Sequence, residues 1–103
     1  MKKKGETGKT VYVQSPGLVT EKIGNNLVIY DERKHVFYQA NRTAALIWQT
    51  LRAQLTVSEL IPKVAAQLGG TPPGFAKDVE QCIDGMVRLK VVTKKLETGR
   101  SRR

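Results

Sequence analysis

The chain is short of the residues that carry most chemistry. It has one cysteine, Cys82, and one histidine, His35, among 103 residues. A lone cysteine excludes an intramolecular disulfide, and a zinc site needs several His, Cys or carboxylate ligands at short spacing. A Cys–His nucleophile pair would need a third orienting group and a pocket built around it. No such cluster is in the sequence, so no catalytic residue, metal site or cofactor is expected. Long apolar runs are missing too. None approaches the roughly 18–20 residues that span a bilayer. The basic start Met1-Lys2-Lys3-Lys4 is followed by no continuous apolar segment of the kind a signal peptide carries. The expectation is a cytoplasmic protein with no membrane partner. Aromatics make up only 6% of the chain, with a single Trp, so each one weighs heavily in a small core.

Acid is the scarce charge: nine Asp and Glu stand against 18 Lys and Arg, for a net charge of +9. Such a balance raises the question of a nucleic-acid partner, but its distribution weighs against one. Residues 1–10 hold Lys2, Lys3, Lys4 and Lys9 against Glu6. Residues 94–103 hold Lys94, Lys95, Arg100, Arg102 and Arg103 against Glu97. Both ends read as basic flexible tails. The part between them, residues 11–93, is close to balanced and is the expected folded domain.

What the chain does have is a sharp order of local signals. Val11-Tyr12-Val13 is a short strand candidate cut off by Ser15-Pro16-Gly17. Leu18–Ile23, Leu27–Tyr30 and His35–Ala40 read as three strands. Gly24-Asn25-Asn26 and the polar run Asp31–Lys34 are the turns between them. An antiparallel meander is the simplest outcome. Period 2 puts Val36, Tyr38 and Ala40 on one face of the last strand, and His35, Phe37 and Gln39 on the other. Both faces carry an aromatic, so both are expected to be partly covered.

Helices follow. Asn41 is an N-cap, and Ala44, Ile47, Trp48 and Leu51 form an apolar face at i, i+3, i+4 and i+7, with the helix running to about Gln54. Thr56 and Glu59 form a capping box that opens a second helix, ended by Gly69-Gly70. Phe75, Val79, Cys82, Ile83, Met86 and Val87 give a third helix, to about Lys90, its apolar stripe. Cys82 on that stripe reads as a small buried hydrophobe. Gly85 marks either a tight contact or clearance for a ligand backbone. The fold class is therefore α+β: a three-stranded antiparallel sheet followed by three helices, in a winged helix-turn-helix-like arrangement.

The pattern resembles the PqqD family of leader-peptide-binding domains, the RiPP recognition elements. The resemblance runs over roughly Ser15 to Val92. It rests on Pro16, Leu18 and Gly24, on Leu27-Val28-Ile29-Tyr30-Asp31, and on Val36–Gln39. Asn41-Arg42-Thr43-Ala44-Ala45-Leu46-Ile47-Trp48, Thr56-Val57-Ser58-Glu59-Leu60 and the third helix complete it. Ala40 stands where the family commonly has Leu. The resemblance implies a non-catalytic protein that captures the leader of a ribosomally made precursor peptide. The leader would add as a strand in the cleft between the third strand and the third helix, and would be delivered to a modifying enzyme. That enzyme would be a radical SAM enzyme, as in pyrroloquinoline quinone biosynthesis, or a lasso-peptide leader peptidase and cyclase.

An unpaired strand edge templates an extended chain on physical grounds as well. Main-chain hydrogen bonds give affinity and alternate side-chain pockets give specificity. Val36, Phe37, Tyr38 and Gln39 would offer the edge. The opposite wall would come from one flank of the third helix, either Asp78, Cys82 and Gly85 or Val87. Arg33 and Lys34 could steer an acidic leader. The competing reading is a winged-helix DNA-binding protein, whose third helix should be basic. Here Lys77, Arg88 and Lys90 are offset by Asp78, Glu80 and Asp84.

Overall fold

Turns that need left-handed backbone cut the first half of the chain into strands. The computed structural model describes residues 9–97. In order they form β1 (Lys9–Gln14), β2 (Val19–Ile23), β3 (Asn26–Asp31), β4 (Val36–Ala40), α1 (Arg42–Thr50), α2 (Val57–Leu68), α3 (Phe75–Arg88) and β5 (Val92–Glu97). Gly24 turns β2 into β3 with φ 62, a conformation glycine adopts without steric cost. The next turn has no glycine, and His35 takes the left-handed role with φ 57. Asp31 holds that turn in place: its Oδ1 accepts from the N–H of Arg33 at 3.0 Å and of Lys34 at 3.4 Å. Its carboxylate is buried, 6% exposed, and is satisfied locally.

The expected meander is present, with strand order β2-β3-β4. Leu27 faces Ala40, Ile29 faces Tyr38 and Asp31 faces Val36 across the β3–β4 ladder. Period 2 puts Leu27, Ile29, Tyr38 and Ala40 on the face that covers the helices, and all but Tyr38 are buried. The opposite face carries Val28, Tyr30 and Phe37. It is not covered as expected, for Phe37 is 65% exposed.

The helices begin where their caps dictate. Asn41 Oδ1 accepts from Ala44 N–H at 2.9 Å. Thr56 and Glu59 form both bonds of the capping box, Glu59 N–H to Thr56 Oγ1 at 3.1 Å and Thr56 N–H to Glu59 Oε1 at 2.9 Å. The Thr56 N–H bond holds the Glu59 carboxyl below the usual carboxylate range. Two helix ends fall short of expectation. α1 stops at Thr50 rather than near Gln54, because the next residues turn to let Leu55 exchange backbone bonds with Tyr12 at 2.8 and 3.0 Å. α3 stops at Arg88, and Lys90 leaves it with φ 66.

The largest departure is a second sheet. β1 and β5 pair antiparallel from Lys9↔Glu97 to Gln14↔Val92. Lys9 and Thr10, and residues 94–97, therefore belong to the folded domain rather than to tails. The rest of both expected tails lies outside the described residues. Exposed lysines on β5 make it look like a tail in sequence, yet charge on an edge strand is a common guard against wrong pairing. One core spans both sheets and the helices, with Ile29, Ile47, Leu51, Leu60, Val64, Val79, Ile83 and Met86 fully enclosed.

Candidate functional site

Among the described residues β4 has β3 on one side and no strand on the other. Tyr38, on the helix-facing side of β4, meets Cys82 on α3 closely enough that each shifts the other's acidity. Burial pushes the Tyr38 hydroxyl above its ordinary range, and the neighbouring thiol adds to the effect. Burial also pushes the Cys82 thiol up, opposed by its interaction with Tyr38. Cys82 is half-buried and packs against the margin of the core, and its titrating neighbour is Tyr38, not His35.

The expected residues sort around this pair. Val36 and Gln39 are exposed along the edge of β4. Phe37 lies on the other face of the sheet, where it borders an apolar hollow of about 320 Å³ with Val19, Val28 and Tyr30. Asp78 and Gly85 stand at i−4 and i+3 from Cys82, on its side of the helix. Asp78 is exposed, and a Cβ added at Gly85 would meet nothing within 4 Å. The reading of Gly85 as a tight packing contact is therefore wrong; the space beside it is open. Val87, with Arg33 and Lys34, lines a separate cavity of about 360 Å³. Cys82 sits opposite Tyr38, while Val87 borders the turn that precedes Val36. α3 therefore runs against the direction of β4, with its C-terminal end at the Lys34 end of the strand.

Some residues around that cavity were not singled out in the sequence. Lys90, Lys94, Ser15 and Thr93 all line it. Lys90 reads as the last residue of a helix and Lys94 as tail, and nothing local marks either. Ser15 Oγ and Thr93 Oγ1 stand 2.9 Å apart, a contact created only by the β1–β5 pairing.

Comparison with known proteins places this geometry. The family described as Coenzyme PQQ synthesis protein D (PqqD) matches residues 26–92. The chain belongs to the PqqD family. The matched span takes in β3, β4, all three helices and the start of β5, so it contains both β4 and the helix that Tyr38 meets. No curated protein matches significantly. A solved structure, TbiB1 in complex with the TbiA(beta) leader peptide, is similar to this PqqD-family chain with a TM-score of 0.62 at 15% identity. The match covers 87% of this chain and 99% of that one. At that identity the likeness is one of fold. Among the described residues no helix is long and apolar enough to cross a membrane, and no group of three or more His, Cys, Asp or Glu could hold a metal ion.

Proposed function

We propose that this protein is a non-catalytic leader-peptide-binding domain, a RiPP recognition element. It captures the leader of a ribosomally made precursor by strand addition to β4 and presents it to a modifying enzyme, either a radical SAM enzyme or a lasso-type leader peptidase and cyclase. The observation that carries the reading is the unpaired edge of β4 together with the Tyr38–Cys82 contact that brings α3 against that strand. An added strand there gains main-chain bonds from the edge and side-chain pockets from the helix. The other free edge of the sheet, β2, is exposed at every residue. PqqD-family membership supports the reading. So does the shared fold with TbiB1, which is seen in complex with a leader peptide.

A winged-helix DNA-binding role fits less well. The exposed surface of α3 carries Asp78, Glu80 and Asp84 against Lys77 and Arg88, not the basic surface that phosphate contacts call for.

Cys82 supplies the test, because it is the only cysteine and sits in the proposed cleft. The thiolate is the form that alkylates, and burial raises the thiol's pKa. At pH 8 iodoacetamide should therefore react more slowly with the folded protein than with the protein in urea. Adding the leader peptide encoded by the precursor gene nearest this chain's own should slow the folded-state reaction by a further tenfold or so, roughly the effect of covering a half-buried thiol at saturating ligand. A leader that binds while Cys82 reacts at its free rate would place the leader elsewhere.

A further inference from the structure

Beside the turn that precedes β4 lies the cavity of about 360 Å³ noted above. Its walls bring together Arg33 and Lys34 from the β3–β4 turn, Lys90 from the end of α3 and Lys94 from β5. The one carboxylate in the lining, Asp31, is already taken by the turn. It accepts from the Arg33 and Lys34 N–H groups and lies 3.8 Å from Arg33 Nε. Four cations from three separate elements therefore face one engaged acid. Like charges gathered in this way repel each other unless an anion joins them.

Lys90 adds a second, independent sign. It sits just past the end of α3 with φ 66, the position and conformation where glycine is the usual choice. A lysine there carries a backbone strain that glycine would not. Such outliers persist where the side chain has a task. Its neighbours Ser15 and Thr93 place a hydroxyl pair, 2.9 Å apart, on the same lining, and hydroxyls can donate to a carboxylate.

We propose that this cavity is a specificity pocket for a carboxylate side chain, an Asp or Glu of the leader peptide. The proposal rests on the strand-addition reading. A strand lying along Val36–Ala40 and continuing past Val36 runs beside Lys34 and reaches the cavity within a few residues, at roughly 3.4 Å per residue. The pocket then fixes the register of the added strand. Main-chain bonds alone leave a strand free to slip, and a charged side chain in a unique place does not. The other end of the cleft has the opposite sign, with Asp78 on α3 one turn before Cys82, so the leader's acidic end is steered to the Lys34 end.

The test uses the full-length protein and the fluorescein-labelled leader encoded by the precursor gene nearest this chain's own. Two variants are needed, Lys90→Gly and Lys94→Gln, together with leaders in which each Asp or Glu is changed in turn to Asn or Gln. Lys90→Gly should melt no lower than the parent, since glycine suits that backbone, yet bind the leader about five- to tenfold more weakly. Lys94→Gln should weaken binding in the same direction. One acidic position of the leader should show a matching loss with the parent and no further loss with Lys90→Gly, the signature of a direct pair.

Parent-like binding by both variants overturns the pocket. So does tight binding of a leader without acid, or losses at every acidic position that simply add to that of Lys90→Gly. In each of those cases strand addition survives, because the parent still binds. No binding by the parent overturns the strand-addition reading itself, and the pocket with it.

Discussion

Replacing Trp48 with alanine is expected to destabilise the domain by about 3–5 kcal/mol, the usual range for truncating a buried aromatic. Trp48 is 7% exposed and does two kinds of work. Its ring fills the space between α1 and the rest of the core, and its Nε1–H donates to the Val91 carbonyl at 2.9 Å. Val91 is the link between α3 and β5, and its carbonyl also accepts from the Ser15 N–H at 3.1 Å. Gln14 closes the knot, donating from Nε2 to the Trp48 carbonyl at 2.9 Å. Both strands of the β1–β5 sheet are thus tied to α1 at one residue. A small domain has only roughly 5–15 kcal/mol of stability in total, so the alanine variant should be largely unfolded at 37 °C. Trp48→Phe keeps most of the ring and loses the donor. Because Ser15 still serves the Val91 carbonyl, it should cost nearer 1 kcal/mol from the bond, plus a smaller packing loss. Urea denaturation followed by circular dichroism orders the variants as parent, Phe, Ala. Equal losses for Phe and Ala would mean that the ring's volume is not what matters.

The second large effect concerns binding and leaves the fold intact. Successive N–H groups of a strand point to opposite edges. Proline at Tyr38 and proline at Gln39 therefore cannot both remove a donor from the open edge of β4. One of them cuts the ladder to β3, where Tyr38 faces Ile29 and Gln39 faces Val28, and lowers the melting temperature. The other keeps the parent's melting temperature, deletes an edge donor and sets a ring against the incoming strand. That variant should bind the leader roughly a hundredfold more weakly, since a leader carbonyl left unpaired costs about 1–3 kcal/mol in addition to the lost bond. If the variant that melts like the parent also binds like the parent, the leader does not use this edge.

The residues that announce themselves locally were the ones legible in sequence. Asn41, Thr56 and Glu59 cap helices through bonds within three residues. The stripe from Phe75 to Val87 needs only its own period, and Gly24 needs only its own φ. The second sheet was hidden because nothing near Lys94 and Lys95 says that they pair with Val11 and Tyr12. Only the fold brings the two ends of the chain together. Which face of β4 is inside was also undecided, because Asp31 carries the inner period of β3 where an apolar residue would have given it away. The turn explains that aspartate, whose carboxylate accepts two N–H groups two and three residues on. The edge of β4 and the Cys82 side of α3 could be proposed as two walls from sequence. The basic cavity could not, since it needs the β3–β4 turn, the end of α3 and β5 at once.

Strand addition to β4 competes with addition to β2, the other open edge of the same sheet among the described residues. The direct measurement is a set of intermolecular backbone NOEs between isotope-labelled protein and unlabelled leader. Strand addition to β4 predicts a ladder of contacts between leader backbone protons and the Val36–Ala40 backbone, with leader side chains touching Tyr38 and Cys82. A ladder along Val19–Ile23, or contacts to the outer face at Phe37 and Tyr30 with none along β4, would contradict it.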